Sequence, residues 1–217
     1  MLTMPSPFPP FVAFAVQNAE SCNYRLHPDE EALLSPRATP KRIHEFTLGR
    51  AAAQLALRRL LAVEPEPVSA GERGEPRWPA SVVGAISHSH DLAVAAVARR
   101  IDCTVIGLDL QGPTRVDLQR IAPKICLPAE LALILAQPGP AAERIKLWFS
   151  AKESLIKALP RLCLSFHDLA LQPGPAPHTL TGRLQRALGS DFPAEAEWTV
   201  GWRNEGKYIL TYFTLPA

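Results

Sequence analysis

Twenty-two of the 217 residues are proline, about twice the share usual in proteins, and their placement decides where helices can exist. Inside a helix, proline removes a backbone donor and clashes with the preceding turn, so helices must lie between prolines or start on one. Three stretches satisfy this. Thr39–Leu61 opens with a cap residue followed by Pro40, is rich in Ala, Leu and Arg, and ends before Pro65 and Pro67. Pro128–Ala136 and Pro140–Leu159 follow, the latter stopped by Pro160. Elsewhere the chain is expected to form short elements and stiff loops.

Short β-branched runs supply the strands. They are Phe11–Val16, Val82–Ser87, Leu92–Val97, Val105–Leu110, Glu197–Arg203 and Lys207–Thr214, the last two joined by an Asn-Glu-Gly turn. Residues 1–36 otherwise read as irregular, and the segment holding Pro173, Pro175 and Pro177 reads as a loop. Helices mixed with short, mostly adjacent strands predict an α+β fold of two α/β lobes, residues 1–103 and 104–217.

Bulk properties narrow the function classes. Lys and Arg number 23 against 21 Asp and Glu, a formal charge of +2, too balanced for a nucleic-acid binder or a polybasic membrane protein. No apolar run approaches the ~20 residues of a bilayer span, and the apolar Phe11–Val16 lacks a basic segment before it, which argues against a signal peptide. Cys22, Cys103, Cys126 and Cys163 are widely spaced without a C-x-x-C pair, so they read as reduced, buried thiols. A cytoplasmic protein is expected.

Two motifs carry chemistry. In the strand Val105–Gln111, alternation places Gly107, Asp109 and Gln111 on one face and Ile106, Leu108 and Leu110 on the other. A carboxylate at the end of an apolar strand is costly to bury unless paired or metal-bound, and Gly107 leaves room for a ligand near the backbone. Further on, Trp148–Leu159 reads WFSAKESLIKAL, whose helical spacing aligns Lys146, Ser150, Glu153 and Lys157 within one arc. Alone, that stripe is also what a solvated face with an i,i+4 Glu–Lys pair would show. Upstream, Arg37, Lys41, Arg42, Arg50, Arg58 and Arg59 face a single acid, Glu45. This basic helix would also suit an RNA or an acidic protein surface.

With GRAAAQLAL (Gly49–Leu57), GERGEPRWP (Gly71–Pro79) and GAISHSHDLAVAAV (Gly84–Val97) added in order, the chain resembles the 4'-phosphopantetheinyl transferase superfamily, of the longer type that activates peptide and polyketide synthetases. The resemblance implies a monomer of two similar lobes with coenzyme A and magnesium in the cleft between them. It implies an enzyme that transfers phosphopantetheine from coenzyme A to a serine of an apo acyl or peptidyl carrier protein, releasing adenosine 3',5'-bisphosphate. In that reading Asp109 and Glu153 hold magnesium, with Gln111 in the position of a third ligand. Glu153 also helps deprotonate the serine, and Lys157 neutralises charge on the phosphate. Arg42, Arg50 and Arg73, with the loop Gly74, Glu75 and Pro76, hold the nucleotide end, and Ser87 and His88 contact its 3'-phosphate. Relatives of this type usually carry Glu where this chain has Gln111. The amide oxygen can still ligate a metal, but without charge.

Two other readings compete. His88-Ser89-His90-Asp91 places two histidines and a carboxylate close together, but Leu92 stands where a metallohydrolase motif needs another residue, and His90 reads as a loop residue. A non-catalytic module that binds coenzyme A or a carrier would keep the fold, yet it would not need Asp109, Glu153 and Lys157 together.

Overall fold

The computed structural model describes residues 4–159, 162, 164–187 and 196–217. The helix stop expected at Pro160, and Cys163, lie outside the described residues. The chain separates into two compact units, Met1–Leu110 with Thr214–Ala217, and Gln111–Phe213. The division falls after Leu110, whereas the sequence suggested a boundary near Cys103. The start of the strand Cys103–Gln111 stays with the first unit, where Thr104 Oγ1 donates to Pro216 O at 3.2 Å and Ala217 N to Asp102 O at 3.3 Å.

In the first unit, β1 (Ala13–Asn18), β5 (Leu92–Arg99) and β4 (Val82–Ser89) form an antiparallel sheet in the order β1-β5-β4. A four-residue helix, α1 (Pro28–Glu31), precedes the 22-residue α2 (Pro40–Leu61). As expected, the Thr39 side chain caps α2, accepting from Arg42 N at 3.2 Å. Ala62, with φ of 58°, closes it in the left-handed conformation while its N–H bonds Arg58 O. The contact between α2 and the sheet is built from small residues. Ala52, Ala53 and Ala56 meet Ala15, Ala93, Ala95 and Val97, with Leu48 and Leu57 filling the remainder. Burying each of those leucines contributes about 1.5–3 kcal/mol. Gly49 sets the approach, since a Cβ there would lie 3.2 Å from Ile86 Cγ2, so a larger residue would push α2 off β4. A small hairpin of β2 (Ser69–Ala70) and β3 (Pro76–Arg77) precedes the sheet. β6 (Cys103–Gln111) leads out of the unit.

The second unit holds α3 (Leu118–Ile125), α4 (Pro128–Ala136) and α5 (Ala141–Ala158), then β7 (Leu169–Pro173), β8 (Thr179–Leu184), β9 (Glu197–Glu205) and β10 (Tyr208–Pro216). Its strands run in the order β10-β9-β8-β7, all antiparallel. The architecture is thus α+β with antiparallel sheets in both units. The β9–β10 turn is Gly206-Lys207, with Gly206 at φ of 62°, a backbone a side chain would strain. α5 lies on this sheet. Thr211 Oγ1 of β10 donates to Ser150 O at 2.9 Å, and a Cβ on Gly182 of β8 would meet Leu155 at 2.7 Å.

Several elements were not legible in advance. α3 carries Pro123 inside it, but Asp117 caps it by accepting from Gln119 N and Arg120 N. β7 and β8 hide beside the proline cluster, and β1 begins two residues later than its apolar run.

Candidate active site

In the first unit, β4 and β6 bring Ser87 and Asp109 together. Ser87 Oγ donates to Asp109 Oδ1 at 3.0 Å and accepts from Leu110 N at 3.0 Å. Both residues are buried, at 3% and 1% exposure. Ile106, Leu108 and Leu110 are buried on the opposite face of β6, as alternation requires. Gln111 ends the strand half-buried. One residue on from Ser87, the His88 ring presents Nδ1 3.9 Å from Glu45 Oε2, while Lys41 Nζ lies 3.7 Å from Glu45 Oε1. The acid that stands alone in the basic helix therefore sits between a lysine and His88. His90, at φ of 56°, turns the β4–β5 hairpin with Asp91, whose carboxylate lies 3.2 Å from His44 Nε2.

The expected nucleotide-holding residues divide by exposure. Arg42 and Arg73 are exposed, whereas Arg50 is 5% exposed with its guanidinium 4.5 Å from the Phe46 ring centre. Its Nε is buried without a hydrogen-bond partner. Burial lowers the Arg50 pKa, and the nearby Glu30 carboxylate opposes that shift. Glu30 is itself fully buried and accepts from Tyr24 Oη at 2.6 Å. Burial, then that bond, pushes the Tyr24 phenol well above its ordinary range. In the loop that follows, Glu75 folds back, accepting from Arg73 N at 3.0 Å and packing where a Cβ on Gly71 would sit. Gly74 takes φ of 82° to allow the turn into Pro76. Trp78 Nε1 donates to Gly84 O at 2.9 Å, pinning this loop to β4 three residues before Ser87.

In the second unit, the four-residue arc of α5 separates into two environments. Ser150 is buried, 3.0 Å from Thr211 Oγ1, and Lys146 turns back to Glu143 at 2.7 Å. Glu153 and Lys157 stay partly open, with Nζ 3.9 Å from Oε2. Glu153 lines a cleft of about 300 Å³ with Lys124, Ile156, Leu164, Ser165, Phe166 and His167. Asp168, next in sequence to His167, accepts from Arg186 Nε at 2.7 Å and Ser165 N at 2.8 Å, which hold its carboxyl down at about 2.

Sequence reasoning passed over Lys152, the residue before Glu153. It is fully buried, and its ammonium donates to Ile125 O at 2.9 Å, Glu130 Oε2 at 2.7 Å and Phe166 O at 2.9 Å. Burial lowers its pKa while Glu130 opposes the shift. Glu130 in turn accepts from Leu127 N at 2.5 Å and Leu171 N at 2.6 Å. The available signal was position. Lys152 falls on the stripe of Trp148 and Leu155, the apolar side of α5, where a cation needs a counter-charge.

Among the described residues no group of three or more His, Cys, Asp or Glu is placed to hold a metal ion. The residues expected to hold a metal carry oxygen donors, a carboxylate on Asp109 in the first unit, and an amide on Gln111 and a carboxylate on Glu153 in the second. Such hard oxygens suit magnesium, which normally takes one or two carboxylates plus substrate phosphates and water. A buried carboxylate already oriented by a hydroxyl, as Asp109 is, fits a cation ligand.

Residues 29–98 match the model of the 4'-phosphopantetheinyl transferase N-terminal domain, and residues 105–212 match that of the 4'-phosphopantetheinyl transferase superfamily. The chain belongs to the 4'-phosphopantetheinyl transferase superfamily. Among its relatives is the 4'-phosphopantetheinyl transferase Svp of Streptomyces mobaraensis, 39% identical over 160 residues, which are 71% of this chain and 64% of that protein. The 4'-phosphopantetheinyl transferase PptT of Mycobacterium tuberculosis is 36% identical over 142 residues, 64% of this chain and 62% of its own length. Enterobactin synthase component D of Salmonella austin is 32% identical over 175 residues, 79% of this chain and 71% of that one. The match spans a little under two thirds of the first two relatives.

Proposed function

We propose that this chain is a 4'-phosphopantetheinyl transferase that moves phosphopantetheine from coenzyme A to a serine of an apo acyl or peptidyl carrier protein, acting as a cytoplasmic monomer. The observation that carries the proposal is the presence of Asp109, Glu153 and Lys157 together in the region matched to the superfamily, residues 105–212, with Asp109 already oriented in a buried hydrogen bond. In the reaction the serine oxygen forms a bond to the phosphorus bearing the pantetheine arm. The bond from that phosphorus to the bridging pyrophosphate oxygen breaks, adenosine 3',5'-bisphosphate leaves, and the serine gives up its proton.

Asp109 and Glu153, with Gln111 as a neutral oxygen donor, would hold Mg2+, which when bound neutralises pyrophosphate charge. Glu153 accepts the serine proton, directly or through water, because a carboxylate beside the nucleophile is a competent general base. The Lys157 ammonium offsets negative charge gathering on the transferred phosphate. Arg42 and Arg73, exposed on α2 and the loop before β4, offer guanidinium groups to an anionic nucleotide, and His88 offers an imidazole to its 3'-phosphate. Arg50 supports that surface from beneath, through Phe46. No described helix is long and apolar enough to cross a membrane.

The test is to incubate a panel of apo carrier proteins with coenzyme A and Mg2+ and measure intact mass. Addition of one phosphopantetheine to at least one carrier, abolished by chelator, supports the proposal. Coenzyme A that raises the melting temperature without transfer to any carrier would favour the binding-only module.

A further inference from the structure

The Ser87 hydroxyl is aimed at a carboxylate, and its chemistry leaves it little else to do. A hydroxyl has one proton to donate and two lone pairs. That proton goes to Asp109 Oδ1, and one lone pair takes the Leu110 N–H, both at 3.0 Å and both buried. An anionic phosphate must be met by a donor. The Ser87 hydroxyl could donate to one only by releasing Asp109, leaving a buried carboxylate oxygen without this partner.

The placement is structural in origin. β4 is an edge strand of its sheet, and the Ser87 side chain occupies the Leu110 amide of β6 where no ladder between these strands does so. The hydroxyl thus ties β6 to β4 at Leu110 and holds one oxygen of the Asp109 carboxylate. With Oδ1 held, the second oxygen, Oδ2, has a set direction. Trp78, bonded to Gly84 on the same strand, and Gly49, which lets α2 sit against Ile86, hold β4 itself in place.

We propose that Ser87 is a positioning residue for Asp109, orienting the carboxylate for a divalent cation, and that it is not a contact to the 3'-phosphate, which falls to His88 and the arginines. This rests on the assignment of Asp109 as a magnesium ligand. Partners that orient a ligating carboxylate are worth about 10–100-fold in metal affinity.

The test uses the full chain without carrier. Mg2+ alone is titrated calorimetrically into the parent, Ser87→Ala, Ser87→Thr and Asp109→Ala, and coenzyme A and dephospho-coenzyme A are titrated separately. Ser87→Ala is expected to weaken Mg2+ about tenfold or more while keeping the parent's ratio of affinities for the two nucleotides. Ser87→Thr, which keeps the hydroxyl, should restore Mg2+ binding. If Ser87→Ala does not fold, Ser87→Cys, which keeps the shape with a weak donor, carries the same expectation. Unchanged Mg2+ affinity, or loss of discrimination between the nucleotides, overturns the proposal. If Asp109→Ala binds Mg2+ like the parent, the metal assignment itself fails. If Asp109→Ala loses Mg2+ and Ser87→Ala does not, only the positioning role fails.

Discussion

Replacing Lys152 by Met should be the most damaging single change in the second unit that touches no proposed reacting group. An ammonium has three N–H donors, and all three are used, on Ile125 O, Phe166 O and Glu130 Oε2. Methionine fills nearly the same volume, so the packing loss is small. What remains is a fully buried carboxylate with its cation gone, and the carbonyls of Ile125 and Phe166 without this donor. Breaking a buried pair in this way costs about 3–5 kcal/mol, even though a well-packed apolar substitute for the whole pair can be neutral. At ~2–4 °C per kcal/mol for a chain of this size, the melting temperature should fall by about 10 °C. The assay is urea unfolding followed by tryptophan fluorescence, since Trp148 lies one turn from Lys152 on α5. A companion Lys152→Met/Glu130→Gln variant removes the stranded charge and should cost less than the sum of the single changes, by about 1–3 kcal/mol. A loss under about 1 kcal/mol for Lys152→Met, or strict additivity in the cycle, would refute the view that this pair clamps α3, α4 and the Phe166 turn to α5.

Asp109→Ala and Glu153→Ala should each abolish transfer in folded protein, and Glu153→Gln should be nearly as damaging, because it keeps the shape and loses both charge and basicity. Mass measurement of the carrier checks this, and parent-like turnover in either alanine variant contradicts it. Gln111→Glu should lower the Mg2+ concentration needed in the absence of coenzyme A, since it adds a charged oxygen, whereas Gln111→Ala should keep substantial activity at high Mg2+; calorimetry and the Mg2+ activation curve read both. Asp168, held at about 2 by Arg186 and the Ser165 N–H, has a folded pKa below its unfolded value of 3.8. Its contribution is therefore complete above pH ~4 and is lost as pH falls through about 2. Asp168→Asn should lower stability at neutral pH and flatten its fall between pH ~4 and about 2, read from urea unfolding at a series of pH values.

Local chemistry was readable from the chain, and partnership was not. Proline placement and capping set the bounds of α2 and α5 almost to the residue, because caps and ring constraints act within one turn. Period-two alternation put Ile106, Leu108 and Leu110 on a buried face opposite Asp109, because strand geometry alone decides that. The same local rules failed where distant groups override propensity. α3 keeps Pro123 because its ends are secured by Asp117 and by the carbonyl of Ile125 bonding Lys152. β7 and β8 pair through neighbours that a proline-rich reading hides. The sequence placed Lys146, Ser150, Glu153 and Lys157 on one arc, but only contact with β10 decided that Ser150 is sealed while Glu153 and Lys157 stay open. It set Ser87 beside His88, and only the approach of β4 to β6 decided that the hydroxyl turns to Asp109. It showed many arginines and one Glu45, and only the fold decided that Arg50 is buried near Glu30 while Arg42 reaches solvent. Spacing along one element is fixed by backbone geometry. Which polar group meets which is fixed by desolvation and hydrogen bonding between segments far apart in the chain, and those are properties of the tertiary structure.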